Sequence, residues 1–120
     1  MADVRVTIDG DEELARLLRQ TGHRVTEAVK NAVSEAALVC ESTAKRATPV
    51  DTGRLRSSIG VERREDGLSA DVGTNVEYAP HVEYGTVTQS AQPYMRPARE
   101  RVRREFPDTV AKHARRVIDR

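Results

Sequence analysis

The 120-residue sequence predicts an α+β fold: a long helix packed on a small antiparallel sheet that contains a β-hairpin, with a closing C-terminal helix. Three patterns support this fold class. Val4, Val6 and Ile8 alternate with polar residues, which is the period of a strand with one buried face. An alanine-rich stripe follows at helical spacing. Asp66-Gly67 then lies between two alternating runs, and this dipeptide is preferred in two-residue hairpin turns.

The chain is long enough for one domain, residues 1–120, and too short for two. Only 3% of it is aromatic and 32% is charged, so the core has to be built from Val, Leu, Ile and Ala. Small domains bury a low fraction of their surface, and we therefore expect neighbouring subunits to contribute to its order. The absence of a long apolar run argues against a membrane partner, and we expect the chain to be made in a reducing cytoplasm.

The first helical region begins with acidic residues 11–13, which suit a helix start. The 3.6-residue period continues through residues 25–47, so one long helix and two helices in sequence both fit, with Gly22 as the dividing point. Thr48-Pro49 ends this region, because the residue before proline is disfavoured in the α conformation. Asp51 then caps a short helix. The residues assigned to this turn and cap are Pro49, Asp51, Thr52 and Gly53.

The second half predicts a hairpin in which Val61 faces Val72 and Ile59 faces Thr74. A short helix is expected around Ala79-Pro80, ending at Gly85. Residues 86–92 have no strong period and are predicted to form a mobile loop or an edge strand. Pro97 suits the first position of the closing helix, and Pro107 is expected to kink or restart that helix.

The tripeptide Asp51-Thr52-Gly53 also occurs at the centre of aspartic proteases. Here a long helical pattern precedes it and Arg54 follows, which is not the context of the protease site, and a helix cap explains the same residues. The three histidines are far apart in the sequence, and Cys40 lies on the apolar stripe, where a thiol is unreactive. We therefore expect no enzyme, no metal and no cofactor.

Aromatic residues and arginines concentrate towards the C-terminus. Residues 96–120 hold nine Lys or Arg against four acids, a net charge of +5, so the first 95 residues sum to −4. Such a basic end suits either nucleic acid or the acidic part of an identical neighbour. The tyrosines suit either a contact surface or a small satellite core. The candidate subunit interface comprises Tyr78, Tyr84, Tyr94, Met95, Arg96, Arg99, Arg103 and Arg104.

Three stretches carry a family resemblance: Thr48–Ile59, Val72–Thr86 and Gln92–Ala98. In their order and spacing, with a long alanine-rich helix before them and a closing helix after them, they resemble the tail-component family of siphovirus-type bacteriophages. The resemblance covers nearly the whole chain. It implies a helix packed on a small antiparallel sheet, which agrees with the fold class predicted from the residues.

The resemblance also implies a structural virion protein at the head–tail junction of the tail. Its subunits would form a ring, a hexamer, that completes or terminates the tail and joins it to the head. The implied partners are further copies of the chain, the head connector, and the tail-tube or terminator proteins, with non-specific contact to DNA in the lumen. The alternative from the residues is a nucleic-acid-binding accessory protein that uses the basic C-terminal helix.

Overall fold

The computed structural model describes residues 4–21, 25–49 and 53–119, and it confirms the α+β fold class. Five helices and three strands lie in these residues. Their order is β1 (Val4–Asp9), α1 (Asp11–Thr21), α2 (Thr26–Ala47), α3 (Gly53–Ser58), β2 (Gly60–Arg63), β3 (Ser69–Thr74), α4 (Ala79–Tyr84) and α5 (Met95–Ile118).

The sheet is antiparallel with β3 in the centre, in the order β1-β3-β2. The predicted hairpin register is confirmed, since Val61 pairs with Val72, and on the other side Val72 pairs with Val6. Strand β2 begins at Gly60, so Ile59 lies just before the ladder and not within it. The alternation of apolar and polar residues in β1 corresponds to alternating buried and exposed side chains.

Helix α2 covers the buried face of the sheet. Close contact is possible because Gly10 has no Cβ: one placed there would lie 2.6 Å from Val29 Cγ1 and 3.0 Å from Val33 Cγ2. The sequence allowed either one long helix or two helices in sequence, and the structure has two, α1 and α2. Gly22, the expected dividing point, lies outside the described residues. Helix α2 ends at Ala47, as predicted from Pro49, and Thr48 before the proline has an extended backbone.

Helix α5 runs antiparallel to α2. Arg101 near its start donates a hydrogen bond to Thr43 near the end of α2, and Lys112 further along reaches Glu35 at 2.7 Å. The prediction of a kink or restart at Pro107 is wrong in one respect, because a single helix continues through this residue. Proline removes only one backbone hydrogen bond there, and Val110 continues the buried side of the helix beyond it.

Candidate assembly surface

The start of α5 is held by a carboxylate from α4. Glu83 is only 5% exposed, and it accepts hydrogen bonds from the backbone N–H groups of Tyr94 at 3.3 Å, Met95 at 2.8 Å and Arg96 at 3.1 Å. The first N–H groups of a helix have no partner within the helix, and the helix dipole favours negative charge at this end. Glu83 therefore takes the role of an N-cap residue and orients α5.

Two members of the candidate interface lie inside the folded chain. Tyr94 is 0% exposed and Met95 is 2% exposed. The Tyr94 hydroxyl donates to the carbonyl of Ala79 at 3.1 Å, and burial raises the pKa of this phenol. Neither alternative from the sequence holds for these two residues, because they belong to the main core and not to a contact surface or a separate small core. Their side chains do not belong to the outer surface.

The other tyrosines lie nearer the surface. Tyr78 is half-buried, and the Arg54 guanidinium lies 5.6 Å from its ring centroid, within cation–π range. Arg54 also makes two 3.0 Å hydrogen bonds to Glu77, which lower the pKa of that carboxyl. Tyr84 is 73% exposed. Tyr84 is therefore the most exposed tyrosine of the candidate set.

The four arginines of the candidate interface are all exposed on the first half of α5, and we call them the arginine row. No ion pair involves any of them within the described residues, whereas Arg101 on the same helix contacts Glu105 at 3.2 Å. Unpaired guanidinium groups at a surface are free to bind carboxylates or phosphates of another molecule. The arginine row comprises Arg96, Arg99, Arg103 and Arg104.

A complementary acidic surface lies at the end of the sheet, and the sequence analysis did not identify it. Asp9 and the nearby Asp66 raise the pKa of Asp11, which shows that two segments distant in sequence share one negative field. Only the pairing of β1 with β3 brings these segments together. The acidic end comprises Asp9, Asp11, Glu12, Glu65 and Asp66.

The hairpin turn of the acidic end and the start of the arginine row lie near different ends of α2. The hairpin turn contacts α2 near its start, since a Cβ on Gly67 would lie 3.4 Å from the Lys30 side chain. The arginine row begins near the end of α2, where Arg101 reaches Thr43 at 3.0 Å. At 1.5 Å per helical residue, about 20 Å of helix separates these two contacts. Arg96 is thus remote from Asp66, whereas Arg99 and Arg103 lie closer to the acidic end and share a groove with Asp9.

The face of the sheet opposite the helices is polar. Thr7 donates to Asp71 at 2.7 Å, and Arg64 and Arg5 lie 3.3 Å and 3.6 Å from the same carboxylate. The Thr7 hydrogen bond is the main cause of the lowered pKa of Asp71. Beside Asp71, paired glycines of β2 and β3 leave a hollow of about 360 Å³.

A larger groove, about 490 Å³, separates the outer edge of β1 from α5. We call it the β1–α5 groove. Residues 5–9 of β1 and Glu13 of α1 line one side, and Arg99, Val102, Arg103, Phe106 and Pro107 line the other. The groove divides the arginine row, because Arg99 and Arg103 line it while Arg96 and Arg104 lie outside it.

The turn assigned between α2 and α3 is only partly described. Pro49 is half-buried and Gly53 is the exposed first residue of α3, while Asp51 and Thr52, with the proposed cap, lie outside the described residues.

Cys40 is buried, and burial raises the pKa of its thiol to about 11. Among the residues that the structure describes, no His, Cys, Asp and Glu cluster has the arrangement of a metal site. In the same residues no helix is long and apolar enough to cross a membrane.

These features define a class: a small α+β protein with an acidic surface, a row of exposed arginines and an open groove between a strand edge and a helix. A family model described as "Bacteriophage HK97-gp10, putative tail-component" matches residues 9–85, well over half of the chain. The chain belongs to this HK97-gp10-like family of phage tail components, and the family resemblance read from the sequence is confirmed. It is thereby a structural component of a phage virion. Searches of curated proteins and of solved structures found no match.

Proposed function

We propose that this tail component forms a ring at the head–tail junction, where it completes or terminates the tail and joins it to the head. The observation that supports the ring is a pair of oppositely charged surfaces: the acidic end beside the hairpin turn, and the arginine row of α5, whose members make no ion pair within the described residues. The role at the junction rests on the family and on the resemblance described above.

A closed ring with more than two subunits is built from head-to-tail contacts, so each subunit needs two different and complementary surfaces. The acidic end and the arginine row are such a pair. We assign the subunit contact to Arg96 and Arg104, because these two guanidinium groups lie outside the β1–α5 groove and are exposed. They would face Asp11 and Asp66 of the next copy. A sixfold ring is the stoichiometry that the family resemblance suggests.

The charge contacts set orientation and association rate more than they supply affinity. Exposed ion pairs contribute roughly 0.2–1 kcal/mol each and weaken with salt. Further affinity has to come from apolar contacts, for which Tyr84 and the fully exposed Val87 are the available side chains beside the start of α5. The proposed ring therefore assembles more slowly at high ionic strength.

Electron microscopy of particles from a phage that lacks this gene tests the role directly. Filled heads beside separate tails of normal length are expected for a joining protein, and overlong tails are expected for a terminator. Complementation with the intact gene should restore whole particles. Normal infectious particles without the gene would rule out both roles.

The second candidate is binding of nucleic acid by α5, and the observation in its favour is that the arginine row has no ion-pair partner within the described residues. Phosphate contacts release counterions, so the logarithm of the binding constant should fall linearly with the logarithm of salt concentration. Titration of labelled duplex DNA at several salt concentrations separates the candidates. A slope near zero would exclude nucleic acid as the partner of these arginines.

A further inference from the structure

We propose that the β1–α5 groove binds an extended segment of a different virion protein, which adds as a fourth strand to the edge of β1 and places two carboxylates against Arg99 and Arg103. Recognition of an extended peptide between a strand edge and a helix is an established mode of β-strand addition. This contact goes beyond the ring, and its binding test does not depend on the proposed function.

The backbone geometry shows which groups are available for an added strand. The Gly10 N–H donates to the carbonyl of Leu68 on the β3 side at 2.7 Å. Backbone groups of successive residues in an antiparallel strand point alternately to either side. The N–H groups of Thr7 and Asp9 therefore point away from β3, towards the groove, and neither has a backbone partner in the described part of the chain.

This edge lacks two of the usual protections against pairing, a proline and a bulge. Strand β1 is six residues long, contains no proline and pairs with β3 in an unbroken register without a bulge. Exposed edges of this kind bind other strands unless charge, proline, a bulge or a covering element prevents it. Helix α5 lies beside the edge but leaves the groove open. The edge is thus a template for a strand.

The charges on α5 indicate the chemistry of the partner. The groove also holds the carboxylates of Asp9 and Glu13, but Glu13 is already paired with Arg16 at 2.7 Å, whereas Arg99 and Arg103 make no ion pair within the described residues. Arg99 and Arg103 are one helical turn apart, a rise of about 6 Å. Alternate residues of a strand are about 6.6 Å apart and point to the same side. Two carboxylates at positions i and i+2 of the added strand therefore match the two guanidinium groups. The apolar side chains of Val102 and Phe106 between them can cover the aliphatic stems of those acidic residues.

The described part of this chain does not contain such a segment. Its three strands already belong to the sheet, and its longest irregular stretch, residues 85–94, carries no acidic residue. We therefore assign the occupant to a different polypeptide. In the virion, the neighbours of a tail component are other virion proteins.

Binding can be tested with the whole protein and a labelled peptide of about eight residues that alternates valine with glutamate, long enough to span β1. The matched control peptide alternates valine with lysine. Fluorescence anisotropy should show saturable binding of the acidic peptide only, and the amide signals of Thr7 and Asp9 should shift in two-dimensional NMR spectra. Absence of binding, equal binding of both peptides, or shifts confined to other elements would overturn the proposal.

Two sets of variants test the contributions of the arginines and of the strand edge to peptide binding. Arg99→Gln with Arg103→Gln should weaken peptide binding by about tenfold or more, while Arg96→Gln with Arg104→Gln should leave it nearly unchanged. Thr7→Pro removes an outward N–H without loss of a ladder bond and should abolish binding, whereas Thr7→Ala should retain it. If Thr7→Pro does not fold, a peptide N-methylated at alternate residues tests the same bond. Shifts of the Thr7 amide on self-association without peptide would identify a second copy as the occupant and contradict the assignment.

Discussion

The Glu83 carboxylate lies 2.8 Å from the backbone nitrogen of Met95 and joins two helices through a single side chain. It also accepts hydrogen bonds from the backbone N–H groups of Tyr94 and Arg96. Since α5 carries the arginine row, this contact determines the direction in which those arginines leave the body of the protein. A buried carboxylate with three backbone donors also contributes to stability, because each donor would otherwise lack a partner.

Glu83→Ala should lower the free energy of unfolding by about 2–3 kcal/mol, since it removes the helix cap and leaves buried N–H groups without an acceptor. Glu83→Gln keeps one acceptor oxygen and should cost about half as much. Urea unfolding followed by circular dichroism measures both values. The control is Glu100→Gln on the exposed side of α5, for which less than about 0.5 kcal/mol is expected. A similar loss for Glu83 and Glu100 would contradict the capping role.

Two paired glycines of the sheet should respond differently to the same substitution. A Cβ on Gly73 would collide with the carbonyl oxygen of Val4 and lie 2.6 Å from Cβ of Arg5, whereas a Cβ on Gly60, its partner across the ladder, meets nothing within 4 Å. Gly73→Ala should therefore destabilise the chain by about 1–3 kcal/mol, and Gly60→Ala should change stability by less than about 0.5 kcal/mol. Thermal unfolding of the two variants tests the sheet register.

Charge reversal tests the proposed ring contact. Arg96→Glu with Arg104→Glu should prevent or slow ring formation, because like charges would then face each other across the contact. The folded monomer should persist, since both side chains are exposed and make no ion pair in the described part of the chain. Analytical ultracentrifugation at low and high salt measures the effect.

A compensating change provides the control for this contact. Asp11→Lys with Asp66→Lys, combined with the two arginine reversals, should recover part of the assembly. Arg115→Glu with Arg116→Glu at the far end of α5 should leave assembly intact. Normal rings formed by the Arg96 and Arg104 variant would exclude these residues from the subunit contact.

Acid should weaken the attachment of α5 to α2. Hydrogen bonds from Lys112 and then His113 lower the pKa of Glu35 below its usual value of 4.5. A carboxyl with a lowered folded-state pKa contributes stability above its unfolded pKa, and this contribution is lost as the pH falls through the folded value. Glu35→Gln should therefore cost about 0.5–1 kcal/mol at pH 7, a modest effect because the pair is partly solvated.

The acid dependence gives this prediction its sharpest test. The difference between the wild type and Glu35→Gln should shrink as the pH falls below about 4.5. Urea unfolding at pH 7, 5 and 3 measures it, with the exposed Glu62→Gln as the control variant. A difference that stays constant with pH would mean that Glu35 acts through packing and not through its charge.

Local patterns were sufficient for most of the elements. The alternation in β1, the turn signal at Asp66-Gly67 and the proline after Thr48 each depend on neighbouring residues, and each is confirmed. The restart that was one of the two outcomes expected at Pro107 was wrong, because one helix continues through this residue and packing of Val110 against the core outweighs one missing hydrogen bond. Local propensity does not include that packing energy.

The sequence by itself determined the fold class, the family and the basic character of the last helix, since these depend on period, motif order and composition. Tertiary structure alone decided which side chains reach a partner. It buried Tyr94, brought Asp66 near Asp11 to form the acidic end, and placed Arg99 and Arg103 beside the free edge of β1. Such relationships arise from strand pairing and helix packing between segments far apart in the chain, and no local pattern records those distances.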